Sequence, residues 1–265
     1  MQPSGLRRGH CRRCGIAAVV ALAAFLPARI AADGIPVRHA EGVVHGFLAL
    51  RTTGGETLAD GDLVQTARGA TVTSRLTFRF KDGSVHDETA VFTQSGRFRL
   101  VSDHLRQHGP SFPHPIEMRI DMRKRLVTVR TDDEGRAKEY SATLNGGDDV
   151  VNGLLFTLVK NLRRNTGPLQ FAYVAATPKP QLVTLSVSSA GVERFETGRR
   201  AREAAHFVIK VEIGGLKGVL ASVFGKQPPD SHIWMLDDEV PAFIRSEQPL
   251  YAGGPLWRIE LVAPR

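Results

Sequence analysis

Histidine and carboxylate side chains gather between positions 86 and 114, and no other segment of the sequence is better equipped for chemistry. The segment contains His86, Asp87, Glu88, Asp103, His104, His108 and His114. Histidine and carboxylate together supply zinc ligands and general acid–base groups. Their spacing fits no fixed metal motif, and His104 and His108 would lie one turn apart on a shared face only in a helix. We interpret residues 103–114 as a polar loop at the rim of a sheet and place residues 86–88 on a neighbouring strand, with a metal-assisted hydrolase as an alternative.

Two acidic triplets, 132–134 and 237–239, are further candidates for chemistry. A glycosidase needs two carboxyl groups that face each other at roughly 5 to 10 Å. Neither triplet has the spacing of an EF-hand calcium loop. Both lie next to turn-forming residues, so we interpret them as solvated turns.

The sequence has no signature of a nucleophile or of a phosphate loop. Ser95 and Ser111 lie outside any G-x-S-x-G pattern. The glycine pairs 146–147 and 214–215 lack the Lys and Ser/Thr of a P-loop. We therefore predict no catalytic residue, no metal site and no cofactor.

The first 32 residues have the three-part organisation of a secretory signal peptide. Four arginines precede an apolar run over 15–26, and Ile30-Ala31-Ala32 offers a cleavage site after Ala32. The run is shorter than the roughly 20 residues of a membrane-spanning helix. We therefore expect a periplasmic or otherwise extracytoplasmic protein with no permanent membrane anchor after cleavage, in which 33–265 form a single domain.

The charge and cysteine content of the mature chain argue against nucleic-acid binding and against disulfide bonds. The signal segment carries five of the 35 basic residues and none of the 27 acidic ones, so the mature chain is only slightly basic. Its basic residues alternate with apolar ones along strands, which argues against the clustered face of a nucleic-acid-binding protein. Both cysteines, Cys11 and Cys14, lie in the signal segment. The mature domain therefore has no disulfide and depends on its apolar core.

Apolar and polar residues alternate with a period of two along most of the mature chain, which is typical of half-buried strands. Between 71 and 80, Val72, Leu76, Phe78 and Phe80 share one face and the basic residues share the other. Short turns connect successive segments of this kind, as in an antiparallel meander. The pattern predicts strands over 71–80, 85–94, 97–105, 116–122, 126–130, 137–144, 171–175, 182–188, 193–195, 206–213, 233–236, 242–247 and 256–262.

Helical spacing appears twice. Apolar residues recur at three- and four-residue intervals between 150 and 162, and Gly167-Pro168 follows them. This predicts a central helix near 149–164, and a second short helix is predicted near 215–224. Strands on both sides of one central helix favour a single α+β domain, with a curved antiparallel sheet wrapped around that helix.

This order of elements, together with the export signal, resembles the half-barrel of periplasmic lipoprotein-carrier proteins and their uncharacterised relatives. The resemblance covers about 43–262. The segments 225–229, 241–243 and 253–259 are similar to a pattern of bacterial exported proteins. The resemblance implies an apolar cavity between the sheet and the helices, but it assigns no functional residue.

These observations predict an exported carrier that binds a lipid, an acyl chain or a lipoprotein in an apolar cavity. The expected lining faces the predicted central helix from the sheet: Phe78, Phe80, Met118, Ile120, Met122, Leu154, Leu155 and Leu158. The same residues would also make an ordinary packed core. An envelope scaffold that binds a protein partner remains a further alternative.

Overall fold

The structure is a computed structural model that describes residues 29–30, 34–133, 135–144, 150–197, 200–212 and 228–263. The signal segment lies outside these residues except for 29–30, and so does the predicted helix near 215–224. Among the described residues, no helix is long and apolar enough to cross a membrane.

The described part of the chain forms one sheet of fifteen strands, in the order β1-β10-β11-β12-β13-β14-β15-β2-β3-β4-β5-β6-β7-β8-β9. All neighbouring strands are antiparallel except β1 and β10. The strands are β1 (Arg29–Ile30), β2 (Val44–Thr52), β3 (Thr57–Arg68), β4 (Thr71–Phe80), β5 (Val85–Ser95), β6 (Arg97–His108), β7 (Ile116–Asp121), β8 (Leu126–Asp133), β9 (Arg136–Thr143), β10 (Leu169–Ala175), β11 (Gln181–Thr197), β12 (Arg200–Glu212), β13 (Ser231–Leu236), β14 (Ala242–Gln248) and β15 (Trp257–Leu261).

Every second residue of these strands faces the interior. In β4, for example, Val72, Leu76, Phe78 and Phe80 are buried, while Arg79 on the opposite face is exposed. The register shifts by one residue at four places, in the pairs β2–β3, β5–β6, β11–β12 and β13–β14. Such irregularities bend strands, and the sheet curves around its inward face.

The inward face carries two apolar clusters. The larger cluster joins β4–β8 to β10–β13 and includes Phe92, Met118 and Phe207. The smaller cluster lies on β2–β4 and β15, where the rings of Phe80, Phe112, Tyr251 and Trp257 pack in edge-to-face or tilted pairs at centroid distances of 5.4 to 6.3 Å. These two clusters hold nearly all of the buried apolar residues of the described chain.

The prediction of an α+β fold with a central helix over 149–164 is wrong. The only helix among the described residues is α1 (Leu155–Lys160), and it is six residues long. The apolar residues before it are buried as predicted, but they are not helical. Residues 150–151 instead lie along the side of β10 that β1 pairs with, further along the strand, where the backbone N–H of Val151 donates to the carbonyl of Ala172.

Asn152 and Gly153 explain why the helix is short. The side-chain amide of Asn152 accepts from the backbone N–H of Val174 and donates to its carbonyl, both at 2.8 Å. These bonds satisfy the backbone of β10 at a position beyond the two residues that pair with β1. Gly153 follows with a φ of +65°, which strongly favours glycine and reverses the chain. A helix can therefore begin only after this turn.

The end of α1 is bonded to the segment that precedes β2. The side-chain oxygen of Asn161 accepts from the backbone N–H groups of Arg38 and His39, both at 2.8 Å. One residue earlier, Lys160 forms a largely buried ion pair with Glu41 at 3.1 Å. The segment before β2 and α1 are thus fixed to one another inside the curve of the sheet.

We expect Asn152→Ala to destabilise the fold strongly. Asn152 is fully buried, and its loss leaves the N–H and C=O of Val174 without partners in the interior. Two unsatisfied buried backbone groups should lower the free energy of unfolding by about 2 to 5 kcal/mol. Urea unfolding measures this difference, with the exposed Asn165→Ala as the matched control. A loss as small as that of the control would contradict the assigned role of Asn152.

Candidate functional site

A cavity of about 170 Å³ lies between β4–β6, the strands β10–β12 and the start of α1. Leu76 and Leu105 line it from one side, Leu185 and Ile209 from the other, and Leu155 from α1. Residues 249–253, which follow β14, complete the rim. The site is therefore a mainly apolar space inside the curve of the sheet.

Two acidic residues lie at one wall of this cavity. Glu88 in β5 pairs with Leu105 in β6, and Asp103 in β6 pairs with Ala90, so the acids are diagonal neighbours on the inward face. Glu88 is half-buried and lines the cavity. Asp103 is only 2% exposed, and neither of its carboxyl oxygens has a hydrogen-bond partner. Two carboxyl groups thus share an apolar environment.

Gly153 separates Asp103 from the cavity. A Cβ atom at this glycine would lie 3.0 Å from Oδ1 of Asp103 and 2.5 Å from Cβ of Ala90. Because only hydrogen fits there, the backbone of Gly153 packs directly over the carboxyl group and lines the cavity itself. The turn that begins α1 therefore also forms the wall in front of Asp103.

Burial favours the neutral forms of both acids. It raises the pKa of Glu88 to about 7. Burial, with the negative charge of Glu88 as a second cause, raises the pKa of Asp103 well above its usual range. Removing a proton from either group makes removal from the other harder, so the two carboxyls titrate as a coupled pair.

His86 lies on the same face of β5 and is neutral for the same reason. Burial lowers its pKa to about 4, although the nearby negative charge of Asp87 opposes this shift. The side-chain amide nitrogen of Gln107 donates to Nδ1 of His86 at 2.9 Å and to the carbonyl of Leu250 at 2.5 Å. The ring proton of His86 must therefore be on Nε2, which is buried and has no partner.

Tyr173 in β10 faces the two acids across the cavity. Its pKa is raised, chiefly by burial and further by the negative charges of Glu88 and Asp103, so its hydroxyl keeps its proton. No Lys or Arg occurs among the described residues that line the cavity. Glu88 is therefore the one described lining residue that can carry a charge near neutral pH.

The eight residues predicted from the sequence to bind a ligand lie in different places. Only Leu155 lines the cavity. Phe78 and Phe80 belong to the smaller apolar cluster, whereas Met118, Ile120, Leu154 and Leu158 are buried in the larger one, against which the half-buried Met122 packs. Contact of these residues with a ligand stays a prediction.

The histidines and carboxylates of 86–114 do not converge on one point. Asp87 faces outward, where hydrogen bonds from Arg75 and from Arg106 lower its pKa to about 2. His104 and His108 lie on β6 rather than on a loop, and four residues of strand separate them by about 13 Å. Among the described residues, no three His, Cys, Asp or Glu side chains are grouped to hold a metal ion.

The remaining members of that segment also have structural partners or are exposed. Nε2 of His104 lies 2.9 Å from Glu117, and His114 is exposed in the turn between β6 and β7. In the second acidic triplet, Asp237 pairs with Arg164, and Asp238 with Arg202. These contacts give no support to a metal-assisted hydrolase.

The sequence analysis placed Glu88 on a strand and Asp103 in a polar rim loop, gave neither a place in an apolar cavity, and missed Tyr173. A signal for Glu88 was available. Along β5, His86, Glu88 and Ala90 continue the apolar face that ends at Phe92, so the alternation itself places Glu88 inward. Nothing in the sequence indicates that Tyr173 faces these acids, because strand register decides it.

Comparison with known proteins finds no matching family model and no matching curated protein. Two solved structures are similar in shape over most of the chain. A β-barrel-like protein of a domain of unknown function from Brucella abortus has a TM-score of 0.46 and 10% identity, and the alignment covers 84% of this chain and 98% of that one. The hypothetical lipoprotein YmcC from Escherichia coli has a TM-score of 0.35 and 10% identity, with coverage of 83% and 85%.

We expect Asp103→Asn to stabilise the protein at pH 8. In the unfolded chain Asp103 ionises above about pH 4, whereas its folded pKa is raised, so wild-type stability falls as the pH rises beyond 4. The amide does not titrate and avoids this loss. The melting temperature should be higher than that of the wild type by at least about 2 °C at pH 8, and the difference should shrink towards pH 4.

The matched control is Asp60→Asn at an exposed position of β3. It should leave the pH profile of thermal unfolding unchanged. A destabilised Asp103→Asn protein at pH 8 would mean that the carboxylate is charged and satisfied in the fold, against the burial described above.

Proposed function

We propose that this protein binds a small apolar or amphipathic ligand non-covalently in the cavity between β4–β6 and β10–β12. The observation that carries the proposal is an apolar space of about 170 Å³ that Glu88 lines, with the unpaired carboxyl group of Asp103 directly behind Gly153 of its wall. A well-packed interior leaves few voids of this size. Apolar walls with a few polar groups are the usual composition of ligand sites.

The size of the cavity limits the ligand. A cavity of about 150 Å³ lined by aliphatic and aromatic side chains accommodates benzene. The space here therefore suits a benzene-sized group or the end of an alkyl chain, and a longer ligand would extend past the rim at 249–253. Burial of its apolar surface would contribute about 25 cal/mol for each Å². The export predicted from the sequence is consistent with a carrier of such ligands outside the cytoplasm.

Partner binding is the second candidate function, and one feature of the sheet favours it. β9 (Arg136–Thr143) ends the sheet, and no described strand pairs with its outer edge. Most of its residues are exposed. An extended peptide of another envelope protein could add to such an edge as a further strand. Its charged residues, however, are of the kind that protects edges from pairing.

Native mass spectrometry of the protein purified from its own compartment tests ligand binding directly. We expect a discrete added mass that solvent extraction recovers as an apolar compound. Ala176→Phe fills the cavity with a ring and should remove the added mass, because Ala176 lines the space. Ala137→Phe, at an exposed position of β9, should keep it.

An unmodified mass for the wild type, unchanged after incubation with mixed lipids and short alcohols, would contradict the proposal. Thermal unfolding of both variants checks that they are folded. Retention of the added mass by a folded Ala176→Phe protein would place the ligand elsewhere.

A further inference from the structure

The charge of the cavity limits which ligands it can hold. Glu88 is half-buried at its wall, and none of the described residues donates a hydrogen bond to its carboxyl group or forms an ion pair with it. Directly behind the lining, Asp103 is 98% buried and also has no partner. The site thus has two acidic groups and lacks a counter-charge among the described residues.

The other groups near Glu88 do not supply that charge. His86 on the same strand is neutral because burial lowers its pKa to about 4. Tyr173 on β10 and Tyr251 near the rim are the remaining titratable residues of the described lining. The described lining residues of β4, α1, β11 and β12 are apolar: Leu76, Leu155, Phe156, Val183, Leu185, Ile209 and Val211. None of the described lining residues therefore supplies a positive charge to Glu88, and a ligand could supply it.

We infer that the cavity takes an amphipathic amine, whose ammonium group pairs with the carboxylate of Glu88 while its apolar part fills the space against Leu185 and Ile209. This inference deepens the proposed function and rests on it. An ammonium ion supplies the counter-charge that the carboxylate of Glu88 lacks among the described residues. The low-dielectric surroundings strengthen this attraction, because apolar walls screen charge poorly.

The same arrangement disfavours acidic ligands. A carboxylate or phosphate in the cavity would lie beside Glu88, and two like charges in an apolar site repel strongly. Such a ligand could bind only while Glu88 keeps its proton. An uncharged alcohol avoids the repulsion but gains no ion pair. The expected order of affinity is therefore amine, then alcohol, then acid.

Proton release accompanies the binding of the amine. The ammonium group enters with its three protons, and Glu88, where it is protonated, loses its carboxyl proton to solvent. Below the pKa of Glu88, the affinity should therefore fall roughly tenfold for each pH unit. A ligand without a positive charge has no reason to show this dependence.

Benzylamine, benzyl alcohol and benzoate test the inference, because they share a benzene ring that fits the cavity and differ in charge. Isothermal titration calorimetry of the full mature chain measures their affinities between pH 5.5 and 8. At pH 8 benzylamine should bind at least about tenfold tighter than benzyl alcohol, a difference of about 1.4 kcal/mol. Benzoate should bind more weakly than either.

Glu88→Gln identifies the responsible group. It should reduce the affinity for benzylamine to that of the same variant for benzyl alcohol, and it should abolish the pH dependence. The amide resembles the neutral acid, so the variant should fold. Glu56→Gln, which removes the same charge from an exposed turn, is the control and should bind benzylamine like the wild type.

The outcomes separate this inference from the proposed function. Equal affinity for benzylamine and benzyl alcohol would overturn the inference that the ligand is an amine. The same would follow if Glu88→Gln still preferred benzylamine to benzyl alcohol as the wild type does. Either result would leave the cavity in place as a binding site. Tighter binding of benzoate would overturn the inference as well. Failure of all three probes to bind at millimolar concentration would overturn both the inference and the cavity as a ligand site.

Discussion

The pair of hydrogen bonds between Asn152 and Val174 determines what the interior of this protein can contain. It completes the edge of β10 and holds the chain inside the curve of the sheet at one point. The positive φ of Gly153 then turns the chain into α1, and Asn161 at the end of α1 binds the segment before β2. Through these contacts a segment with little regular structure packs into the larger apolar cluster. The cavity lies beside this segment, which lines it with Gly153, Leu155 and Phe156.

The sheet was largely predictable because its inward and outward faces differ in polarity. The predicted strand over 71–80 coincides with β4, and the alternation over 116–122 matches β7. β2 and β3 were missed, since glycine and aspartate interrupt their apolar alternation. Gly61 illustrates this, because the ring of Phe78 occupies the space where its Cβ atom would be. Tertiary packing explains why position 61 is a glycine, and the residues next to it in the sequence give no indication of this.

The central helix was the main error of the sequence analysis, and its cause is specific. Apolar residues over 150–162 recur at helical intervals, but burial on several sides produces the same pattern without a helix. The partner of Asn152 is Val174, which lies 22 residues further along the chain, and no local pattern reports such a pair. The candidate site was partly visible for the same reason. Alternation places Glu88 inward, whereas the register of β5 against β6 decides that Asp103 lies beside it.

The two acids oppose the stability of the fold that encloses them. Burial raises the pKa of both carboxyl groups. Near neutral pH the folded chain must therefore either keep these groups protonated, although they would ionise in the unfolded chain, or bury a negative charge without a partner, and both reduce the free energy of unfolding. Leucine occupies the inward positions opposite Glu88 on both neighbouring strands, and an apolar side chain at 88 would avoid this cost. Groups that reduce stability in this way concentrate where a protein binds or reacts. A bound cation would reverse the sign of their contribution, because it converts an unpaired charge in an apolar wall into half of an ion pair.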